Sequence, residues 1–529
     1  MPLENTSLQT HPVGEPNFPA PSRTPAWPVD TPGGRYYAEF DHSTPTTREG
    51  QLIFFAQFLK AGERWAHFLK SCPLTYSGNR GSAIVDVIGT IFLSILCGHW
   101  RYAHINAVRG DLLNPALLGM NKTVSEDTVR DAFKKMDEPE ALNWLSEELQ
   151  DSLAPVLSHQ WILDVDCTVK PIYGHQEGAA IGYNPHKPGR PSHTYHSYFM
   201  ANTRLCLGVE VHDGKQNAGK NGMPGLWSIL EKFPRTHWPT FVRGDCGYGN
   251  EVILHEAEER GLPYLFKLRQ TKLVQKLIIK MLQRTSQWVD AGDGWEVIEA
   301  ELQLSGWTRK RRVVLVREVP AVAPVSGNGR RKKDVFFEGL KGSELWSETP
   351  APWSGKIAVL VTSLNEVAFP ALCMARLYRE RGDAENVYDE LKNQWGWGGY
   401  TSKRLGPCRI AALLVAVVYN WWHMYVRMHD ANRHREAITS RPALLGGTAR
   451  LLRHSGQRTV RVSLQHDKSD VIEAGILKVS RFLHEFEAIA EEWTRQQRWG
   501  VLLTYVLRRW LGGKWLWELP PNAQALLSG

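Results

Sequence analysis

The sequence predicts an α/β protein whose sheet-forming part lies between two helical regions, and three observations support this class. From Thr47 to about residue 155, apolar residues recur at helical spacing. Near residue 160 the pattern changes to the alternation of period two that is typical of strands. The segment "WPTFVRGDCGYGNEVILHEAEERGLPYLFKL" (238–268) then predicts a strand, a tight turn, a helix and a second strand. Strands followed by a strand-helix-strand unit indicate an α/β sheet.

The N-terminal part divides into two segments of different composition. Residues 1–45 are rich in Pro, Ser and Thr and show little hydrophobic periodicity, so we expect a disordered arm. Residues 46–155 predict a helical domain, in which Ser125 caps the helix of "SEDTVRDAFKKM". The unit "LLGMNKTVSEDTVRDAFKKM" is similar to a helix-turn-helix, which makes the domain a candidate for binding DNA ends. Short helical pairs with a polar turn are equally common in any all-α domain.

Later segments alternate between strand and helix. β-type patterns return between about 270 and 370 and predict a β-rich insertion. Two basic runs, at 309–312 and 330–333, lie in this insertion, either as solvated hairpin tips or as phosphate contacts. The stretch "RIAALLVAVVYNWWHMYV" predicts a strongly apolar, buried helix, and residues 426–529 predict a helical, basic C-terminal region.

Composition excludes several classes of protein. The formal net charge of +8 over 529 residues suits a polyanionic partner but is a weak indication by itself. The seven cysteines are scattered without a C-x-x-C pair and no secretory leader is evident, so we expect a reducing cytoplasm and no structural zinc. The two most apolar stretches are interrupted at Asp86 or limited by Asn420, so we expect buried helices and no membrane partner.

Asp166 and Asp245, which belong to two different predicted strands, are candidates for metal ligation. In "WILDVDCTV" Asp164 and Asp166 share one strand face, and Asp245 follows the strand "TFVRG" at the carboxyl edge, where α/β sheets bind ligands. Phosphoryl transfer with two Mg²⁺ ions needs carboxylates that converge from different elements. Asp166 is preferred over Asp164 because Asp166 begins the D-x-T spacing described below.

A third carboxylate lies in "YRERGDAENVYDELK" (378–392). If this stretch is one helix, which only Gly382 would interrupt, Tyr378, Arg381, Glu385 and Lys392 fall within an arc of about 60° at the edge of its apolar face. An amphipathic surface helix with ion pairs at helical spacing explains the same pattern.

These motifs together resemble the DDE transposases of bacterial insertion sequences. The resemblance is to the cut-and-paste group with a Y-x2-R-x3-E-x6-K signature, which matches Tyr378, Arg381, Glu385 and Lys392. The D-x-T strand at Asp166 and the G-D-x-G-Y-G turn at 244–249 occur in the family's order. The resemblance covers roughly residues 155–425 and implies a ribonuclease H-like catalytic core at 156–425, interrupted by the β-rich insertion.

The resemblance also implies a site and a reaction. Asp166, Asp245 and Glu385 would be the catalytic residues and would bind two Mg²⁺ ions, for which Mn²⁺ is a substitute. Tyr378, Arg381 and Lys392 would contact DNA. Cleavage of the element end would generate a 3′-hydroxyl, which in this group typically forms a hairpin before the end is joined to target DNA. A flipped base would then stack on one tryptophan of the insertion, the candidates being Trp288, Trp295, Trp307, Trp346 and Trp353.

The implied partners are double-stranded DNA, both as element ends with terminal inverted repeats and as target, and a second copy of the chain in the DNA complex. The implied location is the bacterial cytoplasm, at the nucleoid. Two alternatives remain open: a nuclease of the same core that cuts without strand transfer, and a domesticated DNA-binding protein that has lost its chemistry. Intact carboxylates at 166, 245 and 385 argue against the second alternative.

Overall fold

Helices fill the N-terminal and C-terminal parts of the chain, and strands with intervening helices fill its middle. The computed structural model describes residues 27–38, 41, 44–76, 81–184, 187–216, 218–319, 355–516, 519–520 and 522–528. The contacts divide the chain into two units: a first unit of Met1–Glu148 with Glu390–Gly529, and a second unit of Leu149–Asp389. The predicted α/β class is confirmed as a mixed structure with one large sheet and many helices.

In the N-terminal part, the residues that the structure describes form three short strands and six α-helices. They are β1 (Trp27–Thr31), β2 (Gly34–Ala38), β3 (Thr46–Thr47), α1 (Leu52–Ala61), α2 (Arg64–Lys70), α3 (Ile84–Leu96), α4 (Asn114–Leu117), α5 (Glu126–Lys135) and α6 (Glu138–Leu153), with 3-10 helices at Tyr102–Ala107 and Ala154–Val156. The predicted cap of α5 is confirmed, because the Ser125 side chain accepts a hydrogen bond from the backbone N–H of Thr128 at 3.2 Å.

The structure differs from expectation within the segment 1–45, which we expected to be a disordered arm. β1 and β2 pair as an antiparallel hairpin around a tight turn, where Gly34 adopts a left-handed φ of 112°. The pairing is local: Arg35 makes a bidentate ion pair with Asp30 at 2.7 and 2.9 Å, and the side chains of β2 are exposed. Residues 1–26 of the expected arm lie outside the described residues.

The described residues in the middle of the chain form ten strands and five α-helices. They are β4 (Ile162–Pro171), β5 (Ala180–Ile181), β6 (Pro191–Met200), β7 (Leu205–Asp213), α7 (Ala218–Leu230), β8 (Phe241–Gly244), α8 (Glu251–Glu259), β9 (Tyr264–Lys267), α9 (Lys272–Leu282), β10 (Val289–Gly292), β11 (Trp295–Leu302), β12 (Arg311–Glu318), β13 (Ile357–Thr362), α10 (Ala371–Arg379) and α11 (Gly382–Glu390), with 3-10 helices at Arg235–His237 and Thr285–Gln287.

All ten of these strands form one sheet. Its order is β10-β11-β12-β13-β9-β8-β4-β6-β5, and β7 also pairs with β6. β4, β8 and β9 pair in parallel, and the other neighbouring strands are antiparallel. The predicted strand-helix-strand unit is therefore β8-α8-β9. Strands β10–β13 from the predicted insertion extend this sheet through β9, and the basic run 330–333 lies outside the described residues.

The C-terminal part is mainly helical. It contains a π-helical segment at Leu391–Trp395, then α12 (Leu405–His429), α13 (Ala437–Leu444), β14 (Thr448–His454), β15 (Gln457–Ser463), α14 (Ser469–Ile489), α15 (Arg495–Leu507) and α16 (Ala523–Ser528).

Helix α12 is the centre of the first unit and contacts α1, α3, α5, α14 and α15. Of the described helices, it is the one long and apolar enough to cross a membrane, and 89% of its most apolar window is buried. Its aromatic residues pack against the N-terminal helices, with Trp421 and Trp422 fully buried beside Phe92 and Phe55. Such burial is typical of a core helix, as the sequence predicted for this stretch.

Candidate active site

Two of the selected carboxylates lie on neighbouring parallel strands of the second unit. Asp166 is in the middle of β4, and Asp245 directly follows β8. The two strands pair with Asp164 beside Arg243. This pairing ends two residues before Asp166 and two residues before Asp245, and Asp245 is close enough for its charge to raise the pKa of Asp166. Asp245 begins the predicted tight turn, in which its Oδ1 accepts a hydrogen bond from the backbone N–H of Gly247 at 2.8 Å.

The Asp166 carboxylate is largely buried and already has two polar partners. Its Oδ2 accepts a hydrogen bond from Arg381 Nη2 at 2.6 Å, and its Oδ1 accepts one from the backbone N–H of Cys167 at 2.7 Å. Burial raises the pKa of Asp166 to about 6; Arg381 opposes this change, and the neighbouring Asp245 carboxylate adds to it. The pKa of Asp166 is therefore sensitive to any positive charge that approaches the two carboxylates.

The other aspartate of the strand has a structural partner. Asp164 is 4% exposed and forms an ion pair with Arg243, which is fully buried; Arg243 Nη2 donates to Asp164 Oδ2 at 3.0 Å. Arg243 also donates a hydrogen bond to the carbonyl oxygen of Leu377, next to Tyr378 at the end of α10. Arg243 thus joins β4 and β8 to α10. This role of Arg243 was not identified from the sequence. An arginine within an apolar strand, two residues before Asp245, does indicate a buried ion pair.

The stretch 378–392 is not one helix, and this part of the prediction is wrong. Helix α10 ends at Arg379 and α11 begins at Gly382. The turn between them is closed by a hydrogen bond from the backbone N–H of Arg381 to the Tyr378 carbonyl at 3.1 Å. The break falls at the glycine because glycine is a poor helix former, and the turn directs Arg381 to Asp166. Tyr378, Arg381, Glu385 and Lys392 therefore do not lie on one arc of a single helix.

Glu385 is exposed on α11, between two residues whose contacts are defined. Arg381, in the turn four residues earlier, binds Asp166. Tyr388, three residues later on α11, shares a 2.6 Å hydrogen bond with Ser197, which is the cross-strand partner of Asp166. The residues on both sides of Glu385 in the sequence therefore contact Asp166 or its strand partner. Tyr388 and Ser197 were not identified from the sequence.

Tyr378 and Lys392 lie in different parts of the protein. Tyr378 is half-buried at the end of α10; burial raises its pKa to about 12, Arg381 opposes the increase, and Asp245 and Asp166 add to it. Tyr378 therefore belongs to the same electrostatic environment as the two aspartates. Lys392 is half-buried in the π-helical segment of the first unit. Its expected contact with DNA stays a prediction.

The described residues contain one group of three side chains whose potential metal-ligand atoms all lie within 4.8 Å of one another, formed by Glu390, His423 and His434 in the first unit. Glu390 is fully buried, and its two oxygens accept hydrogen bonds from both histidines at 2.9 and 2.8 Å, from Trp395 Nε1 at 3.1 Å and from the Ala437 N–H at 2.9 Å. Oε1 accepts three of these bonds, and Oε2 accepts the one from His434. Glu390 is thus already engaged in a hydrogen-bond network, and the imidazoles of this group suit a transition metal rather than Mg²⁺.

Asp166, Asp245 and Glu385 do not form a group of that closeness among the described residues. Their donor set does fit Mg²⁺, because all three supply carboxylate oxygens, which hard cations prefer. The electrostatics fit as well, since Asp245 raises the pKa of Asp166 and a cation near both would stabilise their ionised forms. The fit therefore rests on the donor chemistry and on the coupling of the two aspartates.

Comparisons with known proteins identify a family and similar solved structures. The sequence model of the family "Transposase DDE domain group 1" matches residues 83–484. No curated protein sequence matches the chain. Among solved structures, the chain is similar to a piggyBac transposase in a synaptic complex with hairpin DNA, at 11% sequence identity and a TM-score of 0.36, with 85% of this chain and 84% of that chain covered. The range matched by the family model contains all six site residues selected from the sequence.

Proposed function

The chain belongs to the family Transposase DDE domain group 1, and we propose that it is a DNA transposase that cleaves the ends of its element and joins them to target DNA by two-metal phosphoryl transfer. The observation that supports the chemical part of this proposal is the parallel pairing of β4 with β8, which ends two residues before Asp166 and Asp245, together with the effect of the Asp245 charge on the pKa of Asp166. Arg381 binds Asp166 from the turn that precedes α11, the helix of Glu385. The three carboxylates come from three elements of one unit, as the proposed chemistry requires.

The order of the central strands supports a ribonuclease H-like core. Three antiparallel strands, β7, β6 and β4, are followed by the two parallel strands β8 and β9. In this proposal, strands β10–β13 are the insertion between the second and third carboxylates, and they continue the core sheet beyond β9. The insertion therefore adds area to the sheet without separating α11 from β4 and β6.

We assign metal binding to Asp166, Asp245 and Glu385, with Mg²⁺ as the cofactor and Mn²⁺ as its substitute. The chemistry that two such ions supply is activation of the attacking oxygen and stabilisation of the leaving oxygen at a DNA phosphate. The protein holds Asp166 in place with a charge-assisted hydrogen bond from Arg381. Tyr388 attaches α11 to β6 through Ser197 and so fixes the position of Glu385 relative to the sheet.

Tyr378, Arg381 and Lys392 are the proposed contacts to the DNA backbone. Arg381 has a second role in this scheme, because it also neutralises part of the negative charge of Asp166. Tyr378 lies close enough to the aspartates for their charges to raise its pKa, which supports a phenol that meets the DNA beside the cleaved phosphate.

If cleavage proceeds through a hairpin, a tryptophan must stack on the flipped base. Trp288 and Trp307 are 9% and 7% exposed and each lies against an arginine, so neither offers a free face. Trp295 also has an arginine near its ring, with Arg379 at 5.8 Å, but its side chain is only half-buried, which makes it the better candidate among the described residues. Trp346 and Trp353 lie outside the described residues.

The proposed partners are element ends with terminal inverted repeats, target DNA, and a second copy of the chain that holds the other end. The proposed location is the bacterial cytoplasm, at the nucleoid.

The test is Mg²⁺-dependent cleavage of a labelled duplex that carries the DNA bordering this gene. We expect wild type and the control Glu231→Gln, which changes an exposed carboxylate in the same unit, to cut at a defined terminal phosphate. Asp166→Asn and Glu385→Gln should bind the duplex without cutting it. Cleavage by either variant would overturn the site assignment, cutting without joining to target would indicate a nuclease, and binding without cutting by all four proteins would indicate an inactive DNA-binding protein.

A further inference from the structure

A basic β-hairpin in the first unit, formed by β14 and β15, has a charge pattern that the proposed active site does not use. Its base is anchored, because Ala449 is fully buried and pairs with Thr47 of β3, and the Leu451 N–H donates to the Pro45 carbonyl at 3.0 Å. Beyond the base most side chains are exposed. The hairpin therefore combines a fixed attachment with a solvated outer part.

The hairpin places arginines directly opposite one another. Arg450 pairs with Arg461 across the strands, and Arg453 pairs with Arg458 near the tip. All four side chains are exposed, and no Asp or Glu occurs in the sequence from Ala437 to His466. Like charges at directly opposed positions of an antiparallel pair are destabilising. Such an arrangement is explained when a polyanion neutralises it.

The basic run 309–312 is largely neutralised within the second unit. In the run 309–312, Arg311 is 4% exposed and binds Glu251 and Glu258, and Arg309 also binds Glu258. By contrast, the ion pairs found between described residues include none made by Arg450, Arg458 or Arg461. The hairpin, rather than the longer basic run, thus offers cationic side chains to a partner.

We propose that the β14–β15 hairpin binds the phosphate backbone of duplex DNA, as a contact separate from the catalytic carboxylates. The identity of the polyanion as DNA rests on the proposed function. Arginine binds phosphate through paired, charge-assisted hydrogen bonds, and a two-stranded β-ribbon is narrow enough to enter the major groove. Arg450 and Arg461 share one face of the ribbon and Arg458 lies on the other, so exposed cations stand on both faces. Backbone contacts of this kind position the DNA without reading its sequence.

The test measures the affinity of the full-length protein for the element-end duplex and for an unrelated duplex as a function of salt. The double variant Arg450→Gln/Arg461→Gln should reduce the magnitude of the salt slope by about 2 and weaken binding to both duplexes roughly 10- to 60-fold near 0.1 M salt. The matched control is Lys60→Gln/Arg433→Gln, which removes two exposed cations that already pair with Glu487 and Asp430. We expect the control to keep the wild-type slope.

Thermal unfolding without DNA separates binding from folding. Removal of the opposed pair should leave the melting temperature of the double variant equal to wild type or slightly higher, since a repulsion is lost. A lower melting temperature with an unchanged slope would show that Arg450 and Arg461 are structural and would overturn the inference.

The outcomes also separate the hairpin inference from the proposed function. If the double variant binds DNA like wild type, the hairpin inference alone is wrong. If wild type fails to cut DNA but the salt slope of the double variant still falls, the proposed function alone is wrong. Absence of DNA binding by wild type would overturn both.

Discussion

Replacing Asp164 with asparagine should destabilise the second unit strongly, because it leaves Arg243 buried without a charge partner. The Arg243 side chain is fully buried and the Asp164 side chain is 6% exposed. Removing one partner of such a pair costs about 3–5 kcal/mol, whereas replacing both by apolar residues of similar size is often close to neutral. We therefore expect Asp164→Asn to be far less stable than the double variant Asp164→Leu/Arg243→Met. The double variant still loses the Arg243 bond to the Leu377 carbonyl, which costs about 1 kcal/mol.

Hydrogen exchange of peptides from β4 and β8 is the suitable assay, because the chain divides into two units and exchange reports the stability of each region separately. A loss of 3–5 kcal/mol corresponds to exchange that is roughly 100- to 5,000-fold faster. The control Glu231→Gln breaks an exposed ion pair with Arg260 and should cost less than about 1 kcal/mol. Unchanged exchange in Asp164→Asn, together with loss of cleavage, would refute the structural role and make Asp164 the catalytic aspartate of the strand.

Three further predictions concern α11, acid stability and DNA binding. Tyr388→Phe removes a 2.6 Å hydrogen bond, so it should lower the free energy of unfolding by about 1 kcal/mol. It should also lower the cleavage rate at saturating DNA, because Glu385 is then misplaced. A cleavage rate equal to wild type would contradict this. His196 is fully buried, and its burial together with the nearby His212 lowers its pKa to about 4. The folded state therefore favours the neutral ring, and the contribution of His196 to the free energy of unfolding is fully present above pH 6.5. This contribution should fall by up to about 3 kcal/mol as the pH drops to 4. The variant His196→Met should flatten that profile, and an unchanged profile would exclude His196 as its cause. Lys392→Ala should lower the salt slope of DNA binding by about 1 on any sequence, whereas an unchanged slope would show that Lys392 does not contact phosphate.

The parts of the fold that depend on local periodicity could be predicted from the sequence. The alternation in "WILDVDCTV" and the strand-turn-helix-strand pattern at 238–268 correspond to β4 and to β8-α8-β9, because both patterns depend on residues that are close in sequence. The Ser125 cap was predictable for the same reason, since a cap is a contact between residues three apart.

The break between α10 and α11 could not be predicted, because it depends on a residue distant in sequence. Gly382 makes the break inexpensive, but a glycine inside a helix costs only about 1 kcal/mol and does not enforce one. The conformation is selected by the ion pair between Arg381 and Asp166, whose partner lies on β4. The same limit applies to Asp164, whose role became clear only when the register of β4 with β8 placed Arg243 beside it.

The sequence does not show which basic segments are available to bind DNA, because a count of positive residues does not reveal the acidic residues that pair with them in the fold. The run 309–312 is the densest basic stretch within the described residues, yet α8 supplies Glu251 and Glu258 to neutralise two of its arginines. In the β14–β15 hairpin the arginines are dispersed in sequence, and only the antiparallel register shows that Arg450 faces Arg461. The free energy that such a pair loses to repulsion in the free protein is recovered when phosphate binds, so the register makes the hairpin a stronger candidate for DNA contact than the run.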